Sequence, residues 1–327
     1  MLRLIASRLI QGIAIVFIVA TVVFVLFRLA PGDPFTTMLT SSPASEEFKA
    51  QARRNLGLDQ PLHRQYLHYI AGVARGDLGI SFSEHRPVLQ AIAARVPATL
   101  VLAMAALLID FALGMTIGAV QGARARSRTD DALTILTLTL YSVPVFWLGM
   151  MFMLALADNI GVLGILPATG AKTTAIYEHL PPLGRLWDRV VHLMLPATTL
   201  GLVGAAGTAR YQRAAMLDVV RQDFVRTARA KGLPERTVML RHALRNALLP
   251  VITLFGLSFP ILLSGAVLVE TVFAWPGLGS FVVESVFARD YNVVTGAAII
   301  TAAMVVIGNL LADLLYRAVD PRVRGTV

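Results

Sequence analysis

Apolar and polar positions along this chain separate into six long apolar runs divided by charged or turn-rich segments. The runs cover residues 9–30, 98–121, 132–157, 193–209, 247–269 and 295–316. A helix crossing a hydrocarbon core about 30 Å thick needs roughly 20 mainly apolar residues, because each contributes about 1.5 Å. The pattern therefore predicts an all-α polytopic membrane protein with six transmembrane helices. The fourth run is short, and continuation of its helix past Arg210, out of the membrane, is compatible with the pattern. Helix is required because every backbone N–H and C=O in lipid must be paired within its own segment. A transmembrane barrel would instead show alternating segments about ten residues long, and none is visible.

Composition agrees. Of 327 residues 56% are hydrophobic and only 15% charged, with a mean hydropathy of +0.68. Soluble domains average about 45–50% apolar and about 25% charged residues, so this chain has too little charge to coat a globule. It has no cysteine, which removes disulfides, thiolate metal sites and a cysteine nucleophile. The first run follows Arg3 and Arg8 as a signal peptide would, but it is longer than the roughly 7–15 apolar residues of such a signal. It reads as a retained first helix.

The net charge of +9 raises nucleic acid as a partner, but the placement of the charge points to membrane topology instead. Nine of the Lys and Arg residues lie in 210–246, three in 122–131, two before residue 9 and three after 316. The other side has three in 158–192 and one in 270–294, besides the long 31–97 segment. Long loops count little toward the positive-inside rule. Both termini are thereby placed in the cytoplasm. The chain divides into an N-terminal transmembrane helix (1–30), an outer, extracytoplasmic domain (31–97), a five-helix core (98–316) with a cytoplasmic loop at 210–246, and a cytoplasmic tail (317–327). The outer domain reads as short helices and turns, and Pro31-Gly32-Asp33-Pro34 stops the first helix.

The cytoplasmic loop holds the most informative stretch. Residues 223–231 can form two to three helical turns with Phe224, Thr227, Ala228 and Lys231 on one side. Gly232 suits a left-handed C-terminal cap, and Pro234 cannot extend that helix but can start another. A short helix, a sharp corner and a second helix returning to the membrane at Pro250 follow. Physics alone leaves two uses for such a helix: resting on anionic lipid or docking to a partner protein.

The run Arg226-Thr-Ala-Arg-Ala-Lys-Gly232, followed by His242-Ala-Leu-Arg-Asn-Ala-Leu-Leu-Pro250, resembles the coupling loop of ABC importer permeases. It is most similar to the version in the dipeptide, oligopeptide and nickel branch (a B-type permease). The general motif there is Glu-Ala-Ala, three residues, Gly. Here Arg226, Thr227 and Ala228 hold the first three places and Gly232 the last, so only Ala228 and Gly232 match outright. Leu29-Ala-Pro-Gly-Asp-Pro34, Leu56-Gly-Leu-Asp-Gln-Pro61, Gly76-Asp-Leu-Gly79, Glu270-Thr-Val-Phe-Ala-Trp-Pro-Gly-Leu-Gly279 and Asp320-Pro-Arg-Val-Arg324 resemble the same branch. Alone, Trp275-Pro-Gly-Leu-Gly279 would be only a turn.

The resemblance implies an ABC type I importer permease fold in a bacterial inner (plasma) membrane, with a small outer, periplasmic domain between helices 1 and 2, working by alternating access. It implies a second homologous permease, two ATPase subunits that bind ATP-Mg, an extracytoplasmic substrate-binding protein, and no cofactor or nucleic acid on this chain. Arg226, Thr227, Ala228, Ala230, Lys231 and Gly232 become the candidate ATPase-coupling residues. Dipeptides, longer peptides, nickel chelates and glutathione-like cargo stay open.

Other chemistry is not visible. A P-loop needs Gly, four residues, then Gly-Lys-Ser/Thr. The nearest stretch, Gly164 to Thr173, has five residues between its glycines and Ala171 inserted before Lys172, so ATP hydrolysis is expected on another chain. Gly256-Leu-Ser-Phe-Pro260 fails as a nucleophile elbow at its last position. His63 and His68 are five apart and would not align on a helix as metal ligands, so no metal site is expected. A secondary transporter would show repeated halves with broken helices or paired charges at the midplane. This chain shows only Asp110 midway along the second run. Asp110 shares a helical stripe with Gly114, Gly118 and Gly122, which lets helix backbones pack closely. Two readings follow for it: a hydrogen-bonded group at a helix–helix contact, or a residue lining the substrate path. Gly201, Gly204, Ala205 and Gly207 read as packing.

Overall fold

The computed structural model describes residues 2–29, 60–158, 160–173 and 176–319. The Pro31–Pro34 stop, the first half of the outer domain, the Leu56–Pro61 motif up to Asp59, and the tail from Asp320 lie outside the described residues. Among the described residues ten helices run for eight residues or more: α1 (Leu2–Leu29), α2 (Leu62–Ala74), α3 (Val88–Ala123), α4 (Arg128–Ser142), α5 (Val145–Leu156), α6 (Pro182–Val220), α7 (Asp223–Ala230), α8 (Arg245–Val272), α9 (Leu278–Phe287) and α10 (Tyr291–Val319). One α turn (Glu235–Thr237) and a π-helical stretch (Val238–Leu244) lead directly into α8. Among the described residues the only β pairing is two isolated bridges. The fold is all-helical.

α1, α3, α6 and α10 are each long and apolar enough to cross a membrane. α4 and α5 reach that standard only as a pair, and they are bent by 105°. The uninterrupted third run expected over 132–157 is therefore corrected to two helices. The cause is Pro144, which disfavours helical geometry at the residue before it; Val143 is extended, at φ −78° and ψ 130°. Hydroxyl groups help terminate α4, since Thr139 and Ser142 donate to the carbonyls of Ile135 and Leu138 at 2.9 and 2.8 Å.

Two boundaries also move. α3 begins at Val88, ten residues before the apolar run at 98, and holds Pro97 inside it. Proline is tolerated in membrane helices where neighbouring groups satisfy the freed carbonyl. α6 begins at Pro182, eleven residues before the apolar run. At about 1.5 Å per residue its 39 residues are roughly twice the hydrocarbon thickness, and it does continue past Arg210.

The chain forms two compact units. The first comprises residues up to 96 together with 281–307. Within it Gly12 of α1 rests on Val306 of α10, and Phe24 of α1 packs on the rings of Tyr66 and Tyr69 of α2 at 5.3 and 5.4 Å. Buried Asp290 closes the loop before α10 against the loop before α3, accepting from Ser81 Oγ (2.7 Å), Ser83 N (3.0 Å) and Ser83 Oγ (2.9 Å).

The second unit, residues 97–280 and from 308 on, contains the larger core. Leu102, Leu107 and Phe111 of α3 pack with Leu195 and Leu200 of α6, and with Val269, Phe273 and Trp275. α3 and α6 run parallel. Gly201 faces Ala106 and Ile109, Gly204 faces Asp110, Gly114 faces Thr208, Gly118 faces Ala209 and Gln212, and Gly122 faces Met216. A Cβ on most of these glycines would overlap the facing helix, so the stripe sets how closely the two backbones approach.

Candidate functional site

α7 is built by local rules. Asp223 in its first turn complements the positive helix N-terminus. Thr227 Oγ1 donates to the Asp223 carbonyl at 2.9 Å. At the other end Leu233 N donates to the Ala228 carbonyl (3.4 Å) and Gly232 N to the Arg229 carbonyl (2.9 Å). These two bonds define a Schellman cap, which needs a left-handed residue at its corner. Gly232 supplies it at φ +75°. Pro234 then caps the Glu235–Thr237 turn.

One face of α7 is anchored. Val225 and Ala228, three residues apart, are buried against Met216, Val219, Val238, Ala243 and Ala247. Full burial of a valine contributes about 1.5–3 kcal/mol, which is large for a helix of eight residues. The other face is free: Phe224, Arg226, Thr227, Ala230, Lys231 and Gly232 are all exposed. The expected grouping of Phe224, Thr227, Ala228 and Lys231 on one side thus separates, with Ala228 turned inward. A helix this short admits two faces by periodicity, and the apolar pair Val225/Ala228 decides between them.

Across the corner Arg229 grips Glu235 through two contacts, Nε–Oε2 at 3.1 Å and Nη2–Oε1 at 2.8 Å. The guanidinium hydrogen bond holds the Glu235 carboxyl below its ordinary range. A carboxyl with a lowered value contributes stability above the ordinary glutamate pKa, and that contribution is lost as pH falls through the lowered value. Both side chains are substantially exposed, so solvent screening keeps the contribution small. The underside of this basic helix thus packs on α6 and on the π-helical stretch that leads into α8.

Asp110 is 3% exposed. Thr208 Oγ1 donates to its Oδ1 at 2.6 Å, and its Oδ2 lies over Gly204. The carboxyl is thus enclosed in the α3–α6 seam at the glycine stripe.

Sequence reasoning missed a second buried carboxylate. Glu270, fully buried, accepts from Thr99 Oγ1 (2.6 Å) and from Ser280 N (3.0 Å). Leu278 N donates to the same Thr99 hydroxyl (2.8 Å), and Trp275 Nε1 donates to the Ala98 carbonyl (2.9 Å). Gly277 leaves room for the carboxylate, since a Cβ there would lie on it. The segment from Glu270 to Ser280 is therefore a turn wrapped around one acid and tied to α3 just past Pro97. The signal was present as a glutamate ending an apolar run before Trp-Pro-Gly. Asp130 was also missed; it receives both Nε and Nη2 of Arg213 at 2.8 Å, bracing α4 against α6.

The profile described as "Binding-protein-dependent transport system inner membrane component" matches residues 111–325. The N-terminal profile of the same kind of membrane component matches residues 1–103. The oligopeptide transport system permease protein AppB of Bacillus subtilis (strain 168) is 39% identical over 320 residues, covering 98% of each chain. The dipeptide transport system permease protein DppB of Escherichia coli (strain K12) is 39% identical, covering 99% of each. The glutathione transport system permease protein GsiC of Salmonella typhimurium is 40% identical, again over 99% of each. A chain of the MetNI methionine ABC transporter, in inward-facing conformations, superposes on 71% of this chain and 97% of its own length. Its TM-score is 0.55 at 15% sequence identity, a likeness of fold. With its parallel helical seam, its capped corner at Gly232 and relatives matched from end to end, the chain belongs to the family of binding-protein-dependent transport system inner membrane components.

Proposed function

We propose that this chain is one of two permease subunits in an ATP-driven importer of peptides. Two separate ATPases would bind ATP-Mg and dock below it, and an extracytoplasmic binding protein would deliver cargo. The observation carrying this reading is the α7 corner, an exposed basic helix packed on α6, within a chain similar along its whole length to peptide permeases. ATP binding closes the ATPase pair, α7 moves with it, and the attached helices exchange an inward-facing for an outward-facing cavity. Arg226, Thr227, Ala230, Lys231 and Gly232 present the contact surface, and Ala228 fixes its angle from beneath. ATP binding and hydrolysis fall to the partner ATPases, and no cofactor is expected on this chain.

Six spans are proposed, with α8 as the fifth and the bent α4–α5 pair as the third. The parallel course of α3 and α6 supports a crossing for that pair, because a re-entrant loop would leave them antiparallel. The arginine-rich 210–246 loop supports a cytoplasmic side for both termini. The 40% identity to the glutathione permease favours a second reading, a modified tripeptide as cargo on the same architecture.

Asp110 is read as a packing residue. Asp110→Asn keeps an oxygen for the Thr208 hydroxyl, and interhelical hydrogen bonds in membranes average only about 0.6 kcal/mol. Assembly and uptake should survive nearly intact, with uptake measured at equal complex abundance. A tenfold fall, equivalent to about 1.4 kcal/mol in barrier, would move Asp110 to the cargo path.

Purification in mild detergent tests the overall reading. An ATPase and a second permease should co-purify, and peptide uptake by the reconstituted complex should require ATP. Uptake by this chain alone, driven by an ion gradient, would overturn it.

A further inference from the structure

Arg210 is the cation that the coupling role leaves unexplained. It lies on α6, and its side chain is exposed. Its guanidinium stacks on the ring of Tyr141, 5.2 Å from the centroid, and no described carboxylate pairs with it. Register with α3 moves Arg210 inward of the sequence boundary that made it the first residue of the cytoplasmic loop. The neighbouring positions Ala209 and Gln212 face Gly118, so the Arg210 backbone lies about one turn inside the end of the apolar run at 121. The side chain leans deeper still, as helical side chains tilt toward the N-terminus. Tyr141 itself stands beside Gly207, which is nearly a turn farther from the cytoplasmic end.

That direction is the telling observation. An arginine anchoring a spanning helix to lipid phosphate bends toward the nearest interface; this one is held away from it. A charged group inside the membrane rarely faces lipid and marks a water-filled route or a paired partner. Tyr141 is 55% exposed and shares the open face of α4 and α6 with Arg210. One turn along α4, the bend at Pro144 opens a groove of about 570 Å³ lined by Leu138, Ser142, Phe146 and Trp147, among others. The groove is apolar and large enough for a peptide side chain.

We propose that Arg210, oriented by Tyr141, lines the translocation path and binds a carboxylate of the cargo, with the Pro144 groove receiving an adjoining apolar side chain. Arginine suits the task, since its planar fork takes a carboxylate bidentately while its face stays on an aromatic ring. The contact is open to water and a single pair, so it selects free acids without holding them tightly enough to stall release. This assignment rests on the peptide-importer reading.

The test uses the complete transporter in proteoliposomes, with its ATPases, second permease and binding protein. This chain has no native cysteine, so Arg210→Cys can be followed on it alone. It should react with a membrane-impermeant, negatively charged thiosulfonate, and peptide should slow the reaction. Reaction only with a lipid-soluble maleimide would assign Arg210 to phospholipid. No reaction with either reagent would assign it to the second permease, and both results overturn the proposal.

Uptake of a library of two- to five-residue peptides, supplied as free acids and as C-terminal amides, is then read by mass spectrometry. Arg210→Gln should cut free-acid uptake at least fivefold and leave amides within twofold, and Arg210→Lys should recover at least half. The binding protein is common to all variants, so a changed acid-to-amide ratio belongs to the permease. Equal losses for acids and amides, or none, would overturn the assignment. Failure of the importer reading itself looks different: the unmodified complex would then show no ATP-dependent uptake at all.

Discussion

Gly232→Val is expected to abolish substrate-stimulated ATP hydrolysis, by at least tenfold, while the permease still inserts in the membrane. The cause is backbone geometry. Gly232 sits at φ +75°, a conformation that costs an L-residue roughly 1–2 kcal/mol and is worst for a β-branched side chain. No atom lies within 4 Å of where a Cβ would stand, so no steric clash inside the chain confuses the result. Escape from the strain opens the Schellman cap and turns α7 away from the surface set by Val225 and Ala228. Gly232→Asn is the control, because asparagine tolerates the left-handed region. It should keep most activity. Equal loss in both variants would show instead that the partner surface excludes any side chain at this corner.

Gly277→Ala should cause a comparable loss by a different route, removal of folded protein. Its methyl group would lie on the Glu270 carboxylate, which is already committed to Thr99 and to Ser280 N. The acid has no open space to enter, since it is fully buried. Displacing it leaves a hydroxyl and a backbone donor unpaired, at about 1–3 kcal/mol each. That is a large share of the roughly 5–15 kcal/mol net stability of ordinary proteins. Abundance of the assembled permease should fall several-fold, and Glu270→Ala should reproduce the fall. Normal abundance with Gly277→Ala would mean that the turn can repack around the acid.

The corner at Gly232 was legible in the sequence because its causes are local. A glycine two residues before a proline, after an eight-residue helical stretch, leaves few backbone solutions. The apolar runs were legible for the same reason, since span length is set by the bilayer. The bend at Pro144 was written in the sequence but masked by unbroken hydrophobicity on either side. Which face of α7 points inward depended on Met216, Val238 and Ala243, and no window around 223–231 contains all three. Tertiary partners were beyond reach. Asp110 could be placed on its glycine stripe, but Thr208 lies 98 residues away. Glu270 could be noticed, but Thr99 lies 171 residues away. Short polar side chains distant in sequence carry no periodic signal before the helices have packed.

The central claim is that the exposed face of α7 is where force enters from the ATPase. A photo-crosslinking phenylalanine derivative at Ala230, on the exposed face of the helix, tests it most directly in native membranes. The same group at Ile135, exposed on α4 in the proposed third span, serves as the comparison away from α7. After illumination the Ala230 variant should form a covalent adduct containing an ATPase subunit, identified by mass, and Ile135 should not. An Ala230 adduct with phospholipid alone, in membranes where the assembled complex is present, would contradict the account and leave α7 an amphipathic helix resting on the bilayer.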